Sequence, residues 1–237
     1  LWGLSMHSRL SATFLAILLA CSLLAAATPV AAESHDPECS FPVSETDATG
    51  QMVTVSERPE RIVALQPSAA QTAWELNASD RVVGAPVGPY TTYLDGINDT
   101  IDVLNADEFT VNQEAVVELD ADIVLAPNIV PDQTVERLRG ANQTVFKFGF
   151  GTSLEFIADK TELTGLLIGS CDAAEATNED YWNRIESVRE ATDTRDTPRV
   201  LHYSGGPSGA ATAGSGTFID ELITTAGGEN VAAENGV

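Results

Sequence analysis

The first side chains suited to holding a ligand are Pro67 and Ser68, which follow the strand-like run at residues 61–65. Ser68 and Gln71 have the S-x-x-Q spacing of a capping box, which predicts a helix with Ser68 as its cap. A helix that begins at the carboxyl end of a strand presents free amide groups where open αβ sheets bind ligands. The same pattern fits a capped helix that binds nothing, so this feature alone leaves both interpretations open.

Tyr90 and Tyr93 lie in the loop that follows the next strand-like run, residues 81–85. A tyrosine exposed on such a loop offers a flat apolar face and a hydroxyl, which suits ligand contact. The two rings could equally cover the end of the sheet.

Patterns that would indicate catalysis are missing from the sequence. Gly214-Ser215-Gly216 has neither the lysine nor the spacing of a phosphate loop, and Gly149-Phe150-Gly151 lacks the third glycine of a dinucleotide fingerprint. Ser208 has a glycine at the required distance on one side only, so a nucleophile elbow is not matched. His202 is the one histidine outside the first 35 residues, too few for a multi-histidine metal site. We therefore expect neither an enzyme nor a bound metal.

The charge balance is extreme, with 35 acidic against 12 basic residues and a formal net charge of −23. Such a chain is not suited to binding nucleic acid, whose phosphates require positive charge. The acids could form one acidic binding face, but they are spread along the whole sequence. This distribution is typical of a protein that works in high salt, where self-repulsion is screened.

Residues 1–32 are predicted to be a signal peptide, because Arg9 precedes a long apolar run that ends in Val30-Ala31-Ala32. Two alternatives remain: a lipoprotein in which Cys21 is lipidated after cleavage, and an uncleaved anchor. In each case the rest of the chain lies outside the membrane, and we expect an extracellular, surface-anchored protein that touches the membrane only through its anchor.

Cys39 and Cys171 are the cysteines that follow the predicted signal peptide. In an oxidising exterior they can form one disulfide between the N-terminal segment and the central helices. Two unpaired thiols are the alternative.

The spacing of apolar residues predicts an α/β fold with two lobes. A polar leader at residues 33–46 precedes an N-terminal αβ lobe at 47–152, a helical linking region at 153–195 and the start of a C-terminal αβ lobe at 196–237. Ser153 is a plausible cap of the linking region, and Gly169 predicts either one kinked helix or two successive helices. One larger αβ domain with a long crossover helix is the alternative. The last unit is too short to close a sheet around Phe218, so we expect most of the second lobe to be missing.

Several stretches, in order along the chain, carry a family resemblance. They are residues 57–68, 80–84, 114–126, 216–222 and 226–231. Together they resemble the substrate-binding proteins of ABC importers for cobalamin, ferric siderophores and haem, and especially a surface-anchored haloarchaeal form. The resemblance covers the chain from about Asp47 to its end.

The resemblance implies two Rossmann-like lobes joined by a long backbone helix, with the ligand held between the lobes. It also implies delivery of that ligand to a membrane permease driven by an ATPase. Glu114 stands where relatives that bind cobalamin carry a first-lobe acid that docks onto permease arginines. An ordinary exposed acid is the alternative for Glu114, and the matching second-lobe acid would lie beyond Val237.

The resemblance also places a ligand cleft at the strand ends. Its candidate residues are Pro67, Ser68, Tyr90, Tyr93, Phe109 and Tyr203. Their loops hold aromatic rings but no Arg or Lys, which favours a corrinoid or a neutral metal chelate over an anionic ferric siderophore. Two alternative functions remain. The chain could be a surface sensor or adhesion domain, or an exported enzyme with its active site in the missing part.

Overall fold

The computed structural model describes residues 39–105, 110–193, 195–206 and 209–236. Strand β1 (Val43–Thr46) pairs antiparallel with β2 (Met52–Val55), and the turn between them contains Gly50 at φ 80°. The polar leader predicted from sequence at residues 33–46 includes β1, so that part of the prediction is wrong. Strand β1 forms because Val43 is buried in the core and the turn that begins at Asp47 directs the chain back along it.

Asp47 fixes this turn from inside the protein. Its carboxylate accepts hydrogen bonds from Thr49 and from the backbone of Gln51 and Lys147, and it pairs with Arg139. Burial alone would raise the pKa of Asp47, but the hydrogen bonds from Thr49, Lys147 and Arg139 outweigh it and lower the pKa below its ordinary value.

A parallel five-stranded sheet forms the N-terminal lobe. Its strands are β3 (Ile62–Ala64), β4 (Val82–Ala85), β5 (Ile101–Asp102), β6 (Ile123–Ala126) and β7 (Val145–Lys147). They lie in the order β5-β4-β3-β6-β7. The strand order reverses between β3 and β6, and in open αβ sheets the carboxyl ends at such a reversal form a crevice that binds ligands.

Three helices connect these strands: α1 (Pro67–Glu75), α2 (Gln113–Glu118) and α3 (Asp132–Gly140). Alternate strand residues bury into two cores. Ile62, Ala64 and Leu125 pack on the side of α1, and Val63, Leu65 and Val124 pack on the side of α2 and α3. Because both faces are covered, β3, β4 and β6 are continuously apolar, as is typical of a doubly wound sheet, whereas both residues of the edge strand β5 are exposed.

The cap predicted for α1 is wrong. Its N-cap is Gln66, without a side-chain hydrogen bond, and Ser68 lies inside the first turn. Pro67 starts the helix one residue earlier because its fixed φ suits the first helical position, where no amide donor is needed. Asn112 directly precedes a helical run at residues 113–119 and is therefore predicted from sequence as its cap. This prediction is confirmed, since the Asn112 side chain accepts a hydrogen bond from Ala115 N at 3.1 Å.

Two helices make up the linking region, α4 (Leu154–Ile168) and α5 (Cys171–Thr192). Ser153 caps α4, and Gly169 ends it in the left-handed conformation at φ 67°. Asn178 bonds the carbonyl oxygen of Ala158, and Tyr181 bonds that of Leu154, further back along α4. The two helices therefore run antiparallel as a helical hairpin, rather than as one kinked helix.

The elbow of this helical hairpin, Gly169 and Ser170, is fastened to the N-terminal lobe. The buried guanidinium of Arg81 donates to the carbonyls of Pro59 and Ile168 and to Ser170 Oγ. Arg58 Nε donates to Gly169 O at 3.3 Å. A disulfide joins Cys39 to Cys171, with their Cα atoms 5.7 Å apart.

The second αβ unit follows α5. Strand β8 (Arg199–Val200) leads to a short antiparallel pair, β9 (Ser204–Gly206) and β10 (Gly209–Ala211). The Gly-, Ser- and Ala-rich composition of residues 204–216 predicts a loop there, so this pair is not predicted from sequence. The spacing of Thr217 and Asp220 predicts a cap, which is confirmed for helix α6 (Phe218–Thr225). Strand β11 (Glu229–Asn230) returns parallel to β8 before α7 (Val231–Glu234).

The prediction of an α/β fold with a Rossmann-like lobe and a helical link is confirmed. In the ranges described, no helix combines the length and the apolar character needed to cross a bilayer.

Candidate functional site

An open cleft of about 770 Å³ lies at the carboxyl edge of the sheet, and we call it the carboxyl-edge cleft. Ser68 follows β3, Asn128 follows β6, and Gly149–Ser153 follow β7, so residues after three neighbouring strands contribute to one wall. The helical hairpin and the start of α6 form the other walls. A volume of this size is within the usual range for small-molecule sites.

Helix α1 contributes a polar stripe to the cleft. Ala69, Ala70 and Ala73 face the core, so the opposite side of the helix is free. That side carries Ser68, Gln71, Thr72 and Glu75, at the i, i+3, i+4, i+7 spacing of one helix face. The stripe offers hydroxyl, amide and carboxylate groups that can orient a bound molecule.

Phe150 is the most exposed aromatic side chain of the cleft, at 76% of its full exposure. It stands between two glycines after β7. A side chain at Gly151 would lie 1.9 Å from the ring of Phe156, so glycine there lets that ring pack against the backbone. Phe150 and Phe156 both belong to the lining of the cleft, and aromatic faces are suited to a flat apolar ligand.

Helix α4 brings a second stripe to the cleft, comprising Ser153, Phe156, Ile157, Lys160 and Thr161. The ammonium of Lys160 lies 5.3 Å from the centroid of the Phe148 ring, within cation–π range. Burial lowers the pKa of Lys160 below its ordinary value. The ligand residues predicted from sequence lie at strand ends and in the loops that follow, so they do not include this cation. The i, i+3, i+4, i+7 spacing from Ser153 is the signal that could have indicated it.

Tyr181 and Phe218 form the far wall of the cleft. Tyr181 donates to Leu154 O at 3.2 Å, and burial, together with the nearby carboxylates of Glu221 and Glu155, raises the pKa of its phenol. Glu221, on α6, accepts a hydrogen bond from Leu154 N at 2.7 Å. This contact holds α6, and with it Phe218, against the beginning of α4.

Among the ligand residues predicted from sequence, the structure places only Ser68 in the lining of the cleft. Pro67 stands beside it at the start of α1. Tyr93 lies outside the lining, but its hydroxyl donates to Gln71 Oε1 at 3.0 Å and so supports the α1 wall. Tyr90 and Tyr203 are 70% and 68% exposed and do not line the cleft. Phe109 lies outside the described residues.

Glu114 is exposed in the first turn of α2, outside the lining of the cleft. Helix α2 begins after β5, so Glu114 lies on the same edge of the sheet as the cleft. A protein bound over this edge of the sheet would contact both Glu114 and the mouth of the cleft.

No group of three or more His, Cys, Asp or Glu side chains in the described part of the chain is arranged to hold a metal ion. A second groove, of about 880 Å³, runs along the opposite face of α4 and carries five carboxylates, including Glu45 and Glu175. We take the carboxyl-edge cleft as the candidate site because it lies where the strand order reverses.

The chain is similar to a curated relative with a known ligand class. A cobalamin-binding protein of Halobacterium salinarum is 41% identical over 237 residues, which cover 97% of this chain and 63% of that protein. This chain thus spans less than two thirds of the relative's length. The halobacterial source agrees with the salt-adapted composition.

Solved structures share the fold. A heme-binding protein, HmuT, superposes with a TM-score of 0.66 at 24% identity, covering 84% of this chain and 65% of that chain. The periplasmic vitamin B12-binding protein BtuF of Vibrio cholerae gives a TM-score of 0.61 at 22% identity, covering 76% of this chain and 69% of that chain. At these identities the likeness shows the fold alone.

A family match covers most of the chain. The family described as periplasmic binding protein matches residues 62–236, from β3 through α7. The predicted family is confirmed: the chain belongs to the periplasmic binding protein family.

Proposed function

We propose that this protein is the extracellular substrate-binding component of an ABC importer. It captures a corrinoid or an iron chelate of the haem or siderophore type in the carboxyl-edge cleft and delivers it to a membrane permease. It binds its ligand without transforming it.

The observation that carries this proposal is the chemistry of the cleft lining. Four aromatic rings, those of Phe150, Phe156, Tyr181 and Phe218, surround a volume of about 770 Å³, and the α1 stripe adds hydrogen-bonding groups on one side. A flat macrocycle with polar groups at its rim can bury its faces against the rings while the stripe fixes its orientation. The family and the halobacterial relative named for cobalamin binding support the same ligand class.

The signal peptide predicted at residues 1–32 and the family's description as periplasmic support export, and surface anchoring is part of the same proposal. Delivery to a permease needs a docking surface beside the cleft. Glu114 is suited to this because it is exposed on the same edge of the sheet and can pair with a basic residue of the permease.

The first test is a binding titration of the full-length gene product in molar salt, followed by tryptophan fluorescence. The panel contains cobalamin, cobinamide, haem and several ferric siderophores. Saturable binding of one class supports the receptor function and identifies the cargo. If none of these compounds binds, this function is wrong for the chelates named here.

A matched pair of variants tests whether the cleft is the site. Phe150→Ala removes an exposed ring from the lining and should weaken affinity about tenfold, or about 1.4 kcal/mol. Met52→Ala removes a side chain of similar exposure on β2, outside the lining, and should leave affinity unchanged. Equal affinities for the two variants would place the ligand elsewhere.

A further inference from the structure

Lys160 brings a cation into the lining of the carboxyl-edge cleft. In the ranges that the structure describes, it forms no ion pair with a carboxylate. Its ammonium instead lies over the Phe148 ring, at 5.3 Å from the centroid. A partly desolvated charge that receives only a cation–π contact gains further stabilisation from any anion that reaches it.

The other lysine of this sequence is used differently. Lys147 Nζ donates to Val130 O at 2.8 Å and pairs with Asp132, so its charge is neutralised within the N-terminal lobe. Arg81, Arg139 and Arg58 are likewise held by backbone or carboxylate oxygens. Lys160 differs from these side chains because its charge faces the cleft, in a chain whose net charge is −23.

The remaining ionisable groups of the lining are Glu75 on α1 and Tyr181 on α5. The phenol of Tyr181 is already committed to Leu154 O. An anionic group on a ligand would be repelled by Glu75 and attracted by Lys160. The lining therefore orients a ligand that has one charged side, with that side toward α4.

We propose that Lys160 determines specificity in the carboxyl-edge cleft by pairing with an oxyanion, a carboxylate or a phosphate, at the rim of a flat apolar ligand. This rests on the proposed function. It assigns to the ligand a chemical group that the strand-end loops, which lack Arg and Lys, did not indicate.

The test uses two pairs of probes that differ in the oxyanion. Haem and its dimethyl ester differ in free carboxylates, and cobalamin and cobinamide differ in the nucleotide loop with its phosphodiester. Whichever pair the full-length protein binds is titrated against wild type, Lys160→Met and Lys160→Arg in molar salt and at lower ionic strength. The methionine keeps the length of the side chain without its charge.

Lys160→Met should weaken binding of the oxyanion-bearing probe at least tenfold and leave binding of its partner probe within twofold. Lys160→Arg should retain most of the affinity. The loss should be larger at low ionic strength, because salt screens a pairing that is partly exposed. The pair that shows the difference distinguishes a carboxylate from a phosphate.

A direct readout comes from reductive methylation with ¹³C, which keeps the lysine charge. The signal missing from Lys160→Met belongs to Lys160, and it should shift on addition of the oxyanion-bearing probe but not of its partner. An equal loss of affinity for both probes, or none for either, overturns the role of Lys160 while the receptor function stands. If the wild type binds neither pair, this inference is overturned, and if it binds no compound of the wider panel the proposed function is overturned as well.

Discussion

The close contact between α4 and α5 gives a prediction about protein stability. A methyl group added at Gly165 has two opposing effects on the free energy of unfolding. A methyl group at Gly165 would lie 2.5 Å from Ala174 Cβ and 3.1 Å from Ser170 O. Ordinary carbon contacts are about 3.5–4.0 Å. Neither Cβ can rotate away, so the helical hairpin must open by about 1 Å to accept Gly165→Ala.

Overpacking of this kind destabilises by about 1–3 kcal/mol, whereas alanine is favoured over glycine inside a helix by about 0.5–1 kcal/mol. We expect packing to win, with a net loss of about 1–2 kcal/mol, because both clashing atoms are fixed to backbone. Gly140→Ala is the matched control. Gly140 ends α3 with nothing within 4 Å of the added methyl, so the same change should stabilise slightly.

The double variant Gly165→Ala with Ala174→Gly moves the methyl from one helix to the other. It should recover stability to within about 0.5 kcal/mol of wild type, since the clash is removed at nearly constant volume. Urea unfolding in molar salt, followed by tryptophan fluorescence, to which Trp182 on α5 contributes, measures the three variants against wild type. If Gly165→Ala stabilises as much as Gly140→Ala, the two helices do not pack as closely as described.

Two further predictions concern charged groups. Asp47→Asn should lower stability at pH 7 by about 3 kcal/mol, because it breaks a buried pair with Arg139. The folded-state pKa of Asp47 is lowered, so its stabilisation is present above the unfolded-state pKa and lost as pH falls through the folded-state value. Denaturation midpoints of the two proteins should therefore converge in acid, and a constant difference would contradict this assignment. Glu114→Ala should leave ligand affinity intact and impair uptake by cells, whereas Glu118→Ala, also exposed on α2, should do neither; a loss of affinity would refute the docking role.

Helix starts were the most predictable part of this chain. Ser153, Asn112 and Thr217 cap helices as their local sequence indicates, because an N-cap depends on residues within one turn. The cap predicted at Ser68 is wrong for an equally local reason, because Pro67 beside it starts the helix one residue earlier. The apolar runs also predict four strands of the five-stranded sheet, β3, β4, β6 and β7, because those strands are buried on both faces. The edge strand β5 is exposed and was not predicted.

The lining of the cleft was far less predictable. Lys160 enters it only because one side of α4 is buried in the core and another side is left free, and that depends on tertiary packing. Tyr90 looks equivalent to Phe150 in sequence, as an aromatic residue in a loop after a strand. The loop after β7 contributes to the cleft and the loop after β4 does not, so Phe150 lines the cleft and Tyr90 does not. Loop direction is set by contacts that a single sequence does not show.

The disulfide at the elbow determines how a mechanical load would travel through the protein. One of the predicted anchors, a lipid on Cys21, lies in the segment that precedes Cys39, and Cys39 is bonded to Cys171 across a sequence separation of 132 residues. Tension that enters at Cys39 therefore passes directly to the first turn of α5, by a covalent route that bypasses β1 through α4. Arg58 and Arg81 brace the same elbow against the sheet. A protein tethered by its N-terminus can therefore be pulled by its anchor while the load bypasses the lobe that contributes the α1 stripe and Phe150 to the cleft.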